Sequence, residues 1–117
     1  MPSETADATT ELFQALAARG HERALEKATG TIRFDLTGGE RTTRWLVAIE
    51  NGDVQVSHRN VKADCVVRVD RALFDEIASG RANALATVLR GAMDIEGDPG
   101  LLLAFQRLFP GPPRRAS

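Results

Sequence analysis

Thr43-Arg44-Trp45-Leu46-Val47-Ala48-Ile49-Glu50-Asn51-Gly52-Asp53-Val54-Gln55-Val56-Ser57-His58 holds two apolar alternations joined by an Asn-Gly pair. In an extended chain Trp45, Val47 and Ile49 fall on one side, and Val54, Val56 and His58 repeat the pattern after the turn. Both residues of Asn51-Gly52 tolerate the positive φ of a type I′ turn, so the stretch predicts a tight hairpin. Leu46 and Ala48 make the second face of the first run apolar too, as expected of a strand inside a sheet. Upstream, Ile32, Phe34 and Leu36 alternate with Arg33 and Asp35 across Thr31 to Thr37, which predicts a strand with one buried and one wet face. Thr37-Gly38-Gly39-Glu40 supplies the turn between them. The three runs make an antiparallel meander.

On either side of this meander the period lengthens. Leu12, Phe13 and Leu16, set among alanines, predict an amphipathic helix over Glu4 to Arg19, closed by Gly20. A short helical turn over Glu22 to Lys27 docks Leu25. After the loop Arg59 to Lys62, Cys65, Val67 and Val69 mark a fourth strand over Asp64 to Val69. Asp70 caps a helix that carries Leu73, Phe74 and Ile77 and ends at Gly80. A shorter helix after Asn83 presents Leu85, Val88 and Leu89 on one face and stops at Gly91. Ala92 to Glu96 reads as a fifth strand, with Met93 and Ile95 facing in. Gly97-Asp98-Pro99 is a helix start, since Asp98 accepts from free first-turn N–H groups and proline is preset for the first helical position. That last helix, Pro99 to Phe109, places Leu101, Leu102, Phe105, Leu108 and Phe109 in a wide apolar stripe. The reading is therefore one domain over residues 1–109 and a disordered tail over 110–117.

The chain has 117 residues, 43% hydrophobic and 26% charged, with a net charge of -1, and such a composition folds rather than staying disordered. Its 15 basic residues are matched by 16 acidic ones, which argues against a nucleic-acid partner. No apolar run, Leu101 to Phe105 included, exceeds 5 residues, far short of a transmembrane segment. The polar, acidic start lacks the features of a signal or transit peptide, and the single cysteine, Cys65, has no partner for an internal disulfide. The expectation is a cytoplasmic protein. Arg outnumbers Lys 13 to 2 and Ala reaches 17, a bias that fits a GC-rich bacterial genome.

Catalytic side chains are scarce. With two histidines, one cysteine and no tyrosine, the supply of acids, bases and nucleophiles is thin. His21, His58 and Cys65 show none of the close pairings of a zinc site, so neither a metal nor a cofactor is expected. His58 reads as a partly exposed residue at a strand end, and Cys65, between valines in alternation, as a buried inert thiol. Asp94 and Glu96 read as a solvated strand face with Asp98 as a cap, because nothing supplies the partner that would tune a catalytic carboxylate. Gly38-Gly39 and Gly97-x-x-Gly100 lack the spacing and the lysine of a phosphate-binding loop. No catalytic residue is singled out.

The order of the local signatures carries more. Gly30-Thr31-Ile32-Arg33-Phe34-Asp35-Leu36, Trp45-Leu46-Val47-Ala48-Ile49 with Asn51-Gly52-Asp53-Val54, and Ala63-Asp64-Cys65-Val66-Val67-Arg68-Val69 are followed by Ser79-Gly80, Leu89-Arg90-Gly91 and Ile95-Glu96-Gly97-Asp98-Pro99 with Leu101 and Leu102. In this order, over residues 10 to 109, they resemble the sterol carrier protein type two domain family, small lipid-binding modules. The resemblance implies an α+β fold: a five-stranded sheet of order 3-2-1-4-5, helices on one face, and an apolar tunnel between helices and sheet. It implies no catalytic residue. The ligand would be a hydrophobic small molecule such as a fatty acyl chain, acyl-CoA, sterol or isoprenoid. Residues expected to wall the tunnel are Trp45, Phe74, Ile77, Leu85, Val88, Leu89, Met93, Leu101, Leu102, Phe105, Leu108 and Phe109. Each of them serves equally well as plain core. A peroxisomal role known for some relatives finds no targeting signal after Phe109.

An empty site of ~300 Å³ would cost up to ~7 kcal/mol, comparable with a domain's whole stability. The expectation is a last helix that moves and a fold stabilised by its ligand. Two other functions fit the same residues. One is an accessory protein with a vestigial cavity that pairs with an enzyme or a second copy through a sheet edge or helix face. The other is a small steroid-isomerase-like enzyme, which needs a pocket carboxylate, whereas Asp35, Asp94 and Glu96 fall on the outer phase of their strands.

Overall fold

A computed structural model describes residues 7–109. The start of the expected first helix, residues 4–6, and the expected tail, 110–117, lie outside the described residues. Five strands form one sheet: β1 (Thr29–Thr37), β2 (Thr43–Glu50), β3 (Asp53–Ser57), β4 (Cys65–Asp70) and β5 (Met93–Gly97), in the order β3-β2-β1-β4-β5. β1, β2 and β3 are the expected antiparallel meander, β4 joins β1 in parallel, and β5 closes antiparallel on β4. The hairpin turn has Asn51 at φ 49 and Gly52 at φ 92, the positive values a type I′ turn requires.

Register places Ile32, Phe34 and Leu36 of β1 beside Val47 and Trp45 of β2 and Cys65, Val67 and Val69 of β4, so one face of the sheet is apolar from strand to strand. Among the described residues four helices flank and interrupt the strands: α1 (Ala8–Arg19) precedes β1, α2 (Arg71–Ala78) and α3 (Ala84–Leu89) lie between β4 and β5, and α4 (Pro99–Phe105) follows β5, with short 3-10 turns at Arg23–Leu25 and Gln106–Leu108. Each α-helix begins at a side-chain cap: Asp7, Asp70, Asn83 and Asp98 accept backbone N–H groups of the first turn. Gly20 closes α1 in the left-handed conformation at φ 69. Phe13, Leu16, Phe74, Ile77, Leu101, Leu102 and Phe105 from the helices share one buried cluster with the apolar sheet face.

The last helix is shorter than its sequence stripe. α4 ends at Phe105, the chain tightens into a 3-10 turn, and Phe109 is extended at ψ 141. A residue before proline is pushed out of the helical region, and Phe109 precedes Pro110.

The opposite face corrects one expectation. Asp35 does fall on the side away from the helix-side core, but it is 2% exposed rather than wet. Arg33 grips it with both Nε at 2.9 Å and Nη2 at 3.0 Å, and Arg44 Nε lies 3.5 Å away. Arg44 and Arg68 are its register partners on the two neighbouring strands. The connection from β3 to β4 crosses this face, where Val61 O accepts from Arg33 Nη1 at 3.0 Å, and Leu46 beneath it is 6% exposed.

Candidate functional site

The helix layer has two unlike halves. Under α1 and α2 it is filled with rings. Phe13 stacks on Trp45 with centroids 4.6 Å apart and runs parallel to Phe74 at 5.9 Å, while Phe34 meets Phe74 at 5.5 Å and Phe105 at 5.1 Å. Thr9 of α1 ties the helices together, its N–H donating to Asp75 Oδ1 at 3.0 Å.

Between α3 and α4 the layer is open. Gly97 ends β5 at φ +90, and a Cβ there would lie 2.1 Å from Asp64 O, so only glycine allows β5 to hug the start of β4. Asp98 N donates to that same carbonyl at 2.8 Å, and its carboxylate caps α4 through Gly100 N at 2.9 Å. α4 therefore leaves the sheet at once and runs back over β1 and β4. α3 sits on β5 through its small residues: Ala84 and Thr87 are buried, and the Thr87 hydroxyl is satisfied by Asn83 O at 2.8 Å.

The gap left between α3, β5 and α4 is a groove of about 190 Å³ lined by Ala84, Leu85, Val88, Ile95, Pro99, Leu102, Leu103 and Gln106. Among the described residues Gln106 is its single polar one. Leu102 is 4% exposed at its floor, whereas Leu85 and Leu103 are 45% and 50% exposed at its rim. On the other side of Leu103 lies a broader cleft of about 520 Å³, where Lys27 and Arg107 stand with Asp98 among small and apolar residues.

The twelve residues expected to wall a tunnel are thus dispersed. Leu85, Val88 and Leu102 line the apolar groove, and Leu101 lines the broader cleft. Trp45, Phe74, Ile77, Met93 and Phe105 are buried in the packed cluster. Phe109 closes on Phe74 and Phe105 edge to face, and Leu108 lines a separate surface cleft beside α1. Leu89 is 79% exposed, so the expected α3 stripe of Leu85, Val88 and Leu89 is rotated by one residue: the covered positions are Ala84, Thr87 and Val88. Leu103, Ile95, Pro99 and Gln106 were not anticipated as lining residues. One signal was available for Leu103, the third of three consecutive leucines, which falls off the stripe that Leu101, Leu102 and Phe105 define.

His21, His58 and Cys65 do not line the groove. His58 is exposed just after β3, with its ring 4.1 Å from Trp45 and Nδ1 2.7 Å from Arg44 O. His21 bridges Asp53 at 2.7 Å and Glu26 at 3.0 Å, and the hydrogen bonds to Glu26 and then Asp53 raise its pKa from 6.5. Burial, then the nearby Asp98 carboxylate, pushes the Cys65 thiol up to about 11, which keeps it protonated and inert at neutral pH. Among the described residues no three His, Cys, Asp or Glu side chains gather as metal ligands, and no helix is long and apolar enough to cross a membrane.

Comparison with known proteins agrees with this architecture. The pattern defining the SCP-2 sterol transfer family matches residues 10–110. Hydroxysteroid dehydrogenase-like protein 2 of Xenopus laevis is 28% identical over 109 residues, which is 92% of this chain and 26% of that protein. The chain thus spans about a quarter of the length of the curated relatives it matches. Among solved structures, the sterol carrier protein domain 2 of Helicoverpa armigera superposes with a TM-score of 0.70 at 18% identity, covering 92% of this chain and 89% of that one. Sterol carrier protein 2 from Yarrowia lipolytica in its apo form also gives 0.70, at 20% identity over 93% and 95% of the two chains.

Proposed function

Because the chain belongs to the SCP-2 sterol transfer family, we propose that it binds a hydrophobic ligand, an acyl chain, acyl-CoA, sterol or isoprenoid, in the groove between α3 and α4 and does no chemistry on it. The observation that carries this reading is the lining itself: seven apolar residues and one amide, with Leu85 and Leu103 held half exposed at the rim. Apolar side chains stay in water only where folding cannot cover them, and a ligand that covers both regains that hydrophobic free energy.

At about 190 Å³ the groove is smaller than the 300–1,000 Å³ typical of ligand sites. Ligand entry therefore requires α3 and α4 to part. Asp98 N–H on Asp64 O at 2.8 Å holds the start of α4 and Phe105 holds its far end in the aromatic cluster, so α3 is the part that moves. Collapse of the empty groove avoids the cost of a preformed tunnel.

A ligand at a hundredfold excess over its Kd stabilises the fold by about 2.7 kcal/mol, a rise in Tm on the order of 10 °C for a chain of this size. Thermal melts with palmitate, palmitoyl-CoA, cholesterol and ubiquinone test this. A rise with at least one supports the reading, and no change with any of the four overturns it.

A second reading rests on the length of the curated relatives. If the chain acts beside an enzyme, as a quarter of a dehydrogenase-like protein suggests, its role is to hand the hydrophobic ligand across. Co-purification with an enzyme partner together with bound lipid favours that version.

A further inference from the structure

Three leucines stand in solvent on one side of the molecule: Leu85 and Leu89, one turn apart on α3, and Leu103 on α4, at 45%, 79% and 50% exposure. Leu85 and Leu103 border the apolar groove, whereas Leu89 stands outside it. Isolated exposed leucines are ordinary, but this group joins an apolar opening.

The charge around them is lopsided. The chain as a whole has a net charge of -1, yet residues 77–92 carry Arg81 and Arg90 with no Asp or Glu, and residues 99–109 carry Arg107 with none. All three arginines are exposed, and none is in an ion pair among the described residues. Among the described residues the one carboxylate bordering the groove or the adjoining cleft, Asp98, is engaged in capping α4. On the intervening β5, Asp94 and Glu96 alternate with groove-lining Ile95 and so fall on the opposite face of the sheet, which leaves the α3 and α4 segments with positive charge alone.

We propose that the α3–α4 face docks on a bilayer containing anionic phospholipid, with Leu85, Leu89 and Leu103 inserted among the acyl chains and Arg81, Arg90 and Arg107 against the headgroups. Aliphatic tips rimmed by arginine suit a fluid interface, which rewards apolar area and positive charge without shape matching. Protein interfaces instead draw on buried Trp and Tyr anchors, and here the only tryptophan is in the core and there is no tyrosine. Docking in this orientation turns the groove toward the membrane, so a hydrophobic ligand passes between them without crossing water.

The test is sedimentation with vesicles of phosphatidylcholine, with and without phosphatidylglycerol, at low and high salt. Binding to the anionic vesicles that weakens with salt is expected. Leu89→Ser should weaken it about tenfold, and Arg81→Glu with Arg90→Glu by about fivefold or more per site. None of these positions lines the groove, so lipid-induced stabilisation of the variants in solution reports separately on ligand binding. Leu89→Trp should retain vesicle binding and show a blue-shifted emission on it. Failure of the wild-type protein to sediment with anionic vesicles at low salt overturns the proposal. So does binding unaffected by Leu89→Ser, or a dimer in solution that Leu89→Ser dissociates, which would assign the face to a second copy of the chain.

Discussion

Beneath α1 and α2 the space between helices and sheet is closed by Phe13, Trp45, Phe34 and Phe74, whereas between α3 and α4 it is closed by Leu102 and the half-buried Val88, with Leu85 and Leu103 left half exposed. The two halves cover the same sheet with helices of similar composition. What differs is side-chain size at the contact. α1 and α2 send aromatic rings to the sheet, while α3 approaches β5 through Ala84 and Thr87 and so has no large side chain to spend on filling the layer. β5 is also the edge of the sheet, and beyond it there is no strand for Leu85 and Leu89 to cover. Stability is thus concentrated at one end of the layer and adaptability at the other.

Substitutions distinguish the halves by size of effect. Phe13→Ala removes the ring shared by Trp45, Phe34 and Phe74 and should cost about 3–5 kcal/mol in urea denaturation. A cost below about 1 kcal/mol would mean that the aromatic half is not the stable one. Leu102→Ala, at the groove floor, should cost about 2 kcal/mol, the low end for a buried leucine, because the neighbouring open space lets the site collapse. Leu103→Ser should change stability by less than about 0.5 kcal/mol, yet weaken lipid binding about tenfold in a displacement titration. A comparable loss of stability would make Leu103 a core residue.

Trp45 sharpens the comparison further. Its ring faces the helix side but is stacked on Phe13 and 8% exposed, and it lines no part of the groove. Its emission should stay unchanged at a lipid concentration that raises Tm, and a large shift would move the ligand into the aromatic half.

The smallest effect belongs to His21, which clamps the end of α1 to the β2–β3 hairpin through Asp53 and to the following turn through Glu26. Its folded pKa is raised above 6.5, so protons bind the folded state more tightly than the unfolded one. The stability it adds is present in full below pH 6.5 and fades as pH rises through the raised value. His21→Gln should flatten that part of a denaturation profile taken between about pH 6 and about pH 9, with little effect at the alkaline end.

Much of the architecture was legible because it depends on local rules. Asn51-Gly52, the Asp98-Pro99 start and the alternations of β1, β2 and β4 each state their structure within a few residues. The errors arise where a distant neighbour decides. Asp35 looks solvent-facing beside Arg33, but Arg44 and Arg68 arrive from two other strands and the β3–β4 connection reaches over Arg33. The rotation of α3 by one residue depends on how closely that helix approaches β5, and six residues are too few for periodicity to settle it. The candidate site was legible only in kind. Leucine-rich stripes announced apolar surface, and the choice between wall and core among the twelve expected residues depended on packing across the layer.

The central claim is that the ligand occupies the groove between α3 and α4. A methyl-resolved NMR titration with palmitate tests it most directly. The account predicts perturbed signals from Leu85, Val88, Ile95, Leu102 and Leu103, with Val47 and Leu36 unmoved. Perturbation confined to Val47, Leu36 and the other methyls beneath α1 and α2, or none at a saturating concentration of palmitate, would contradict it.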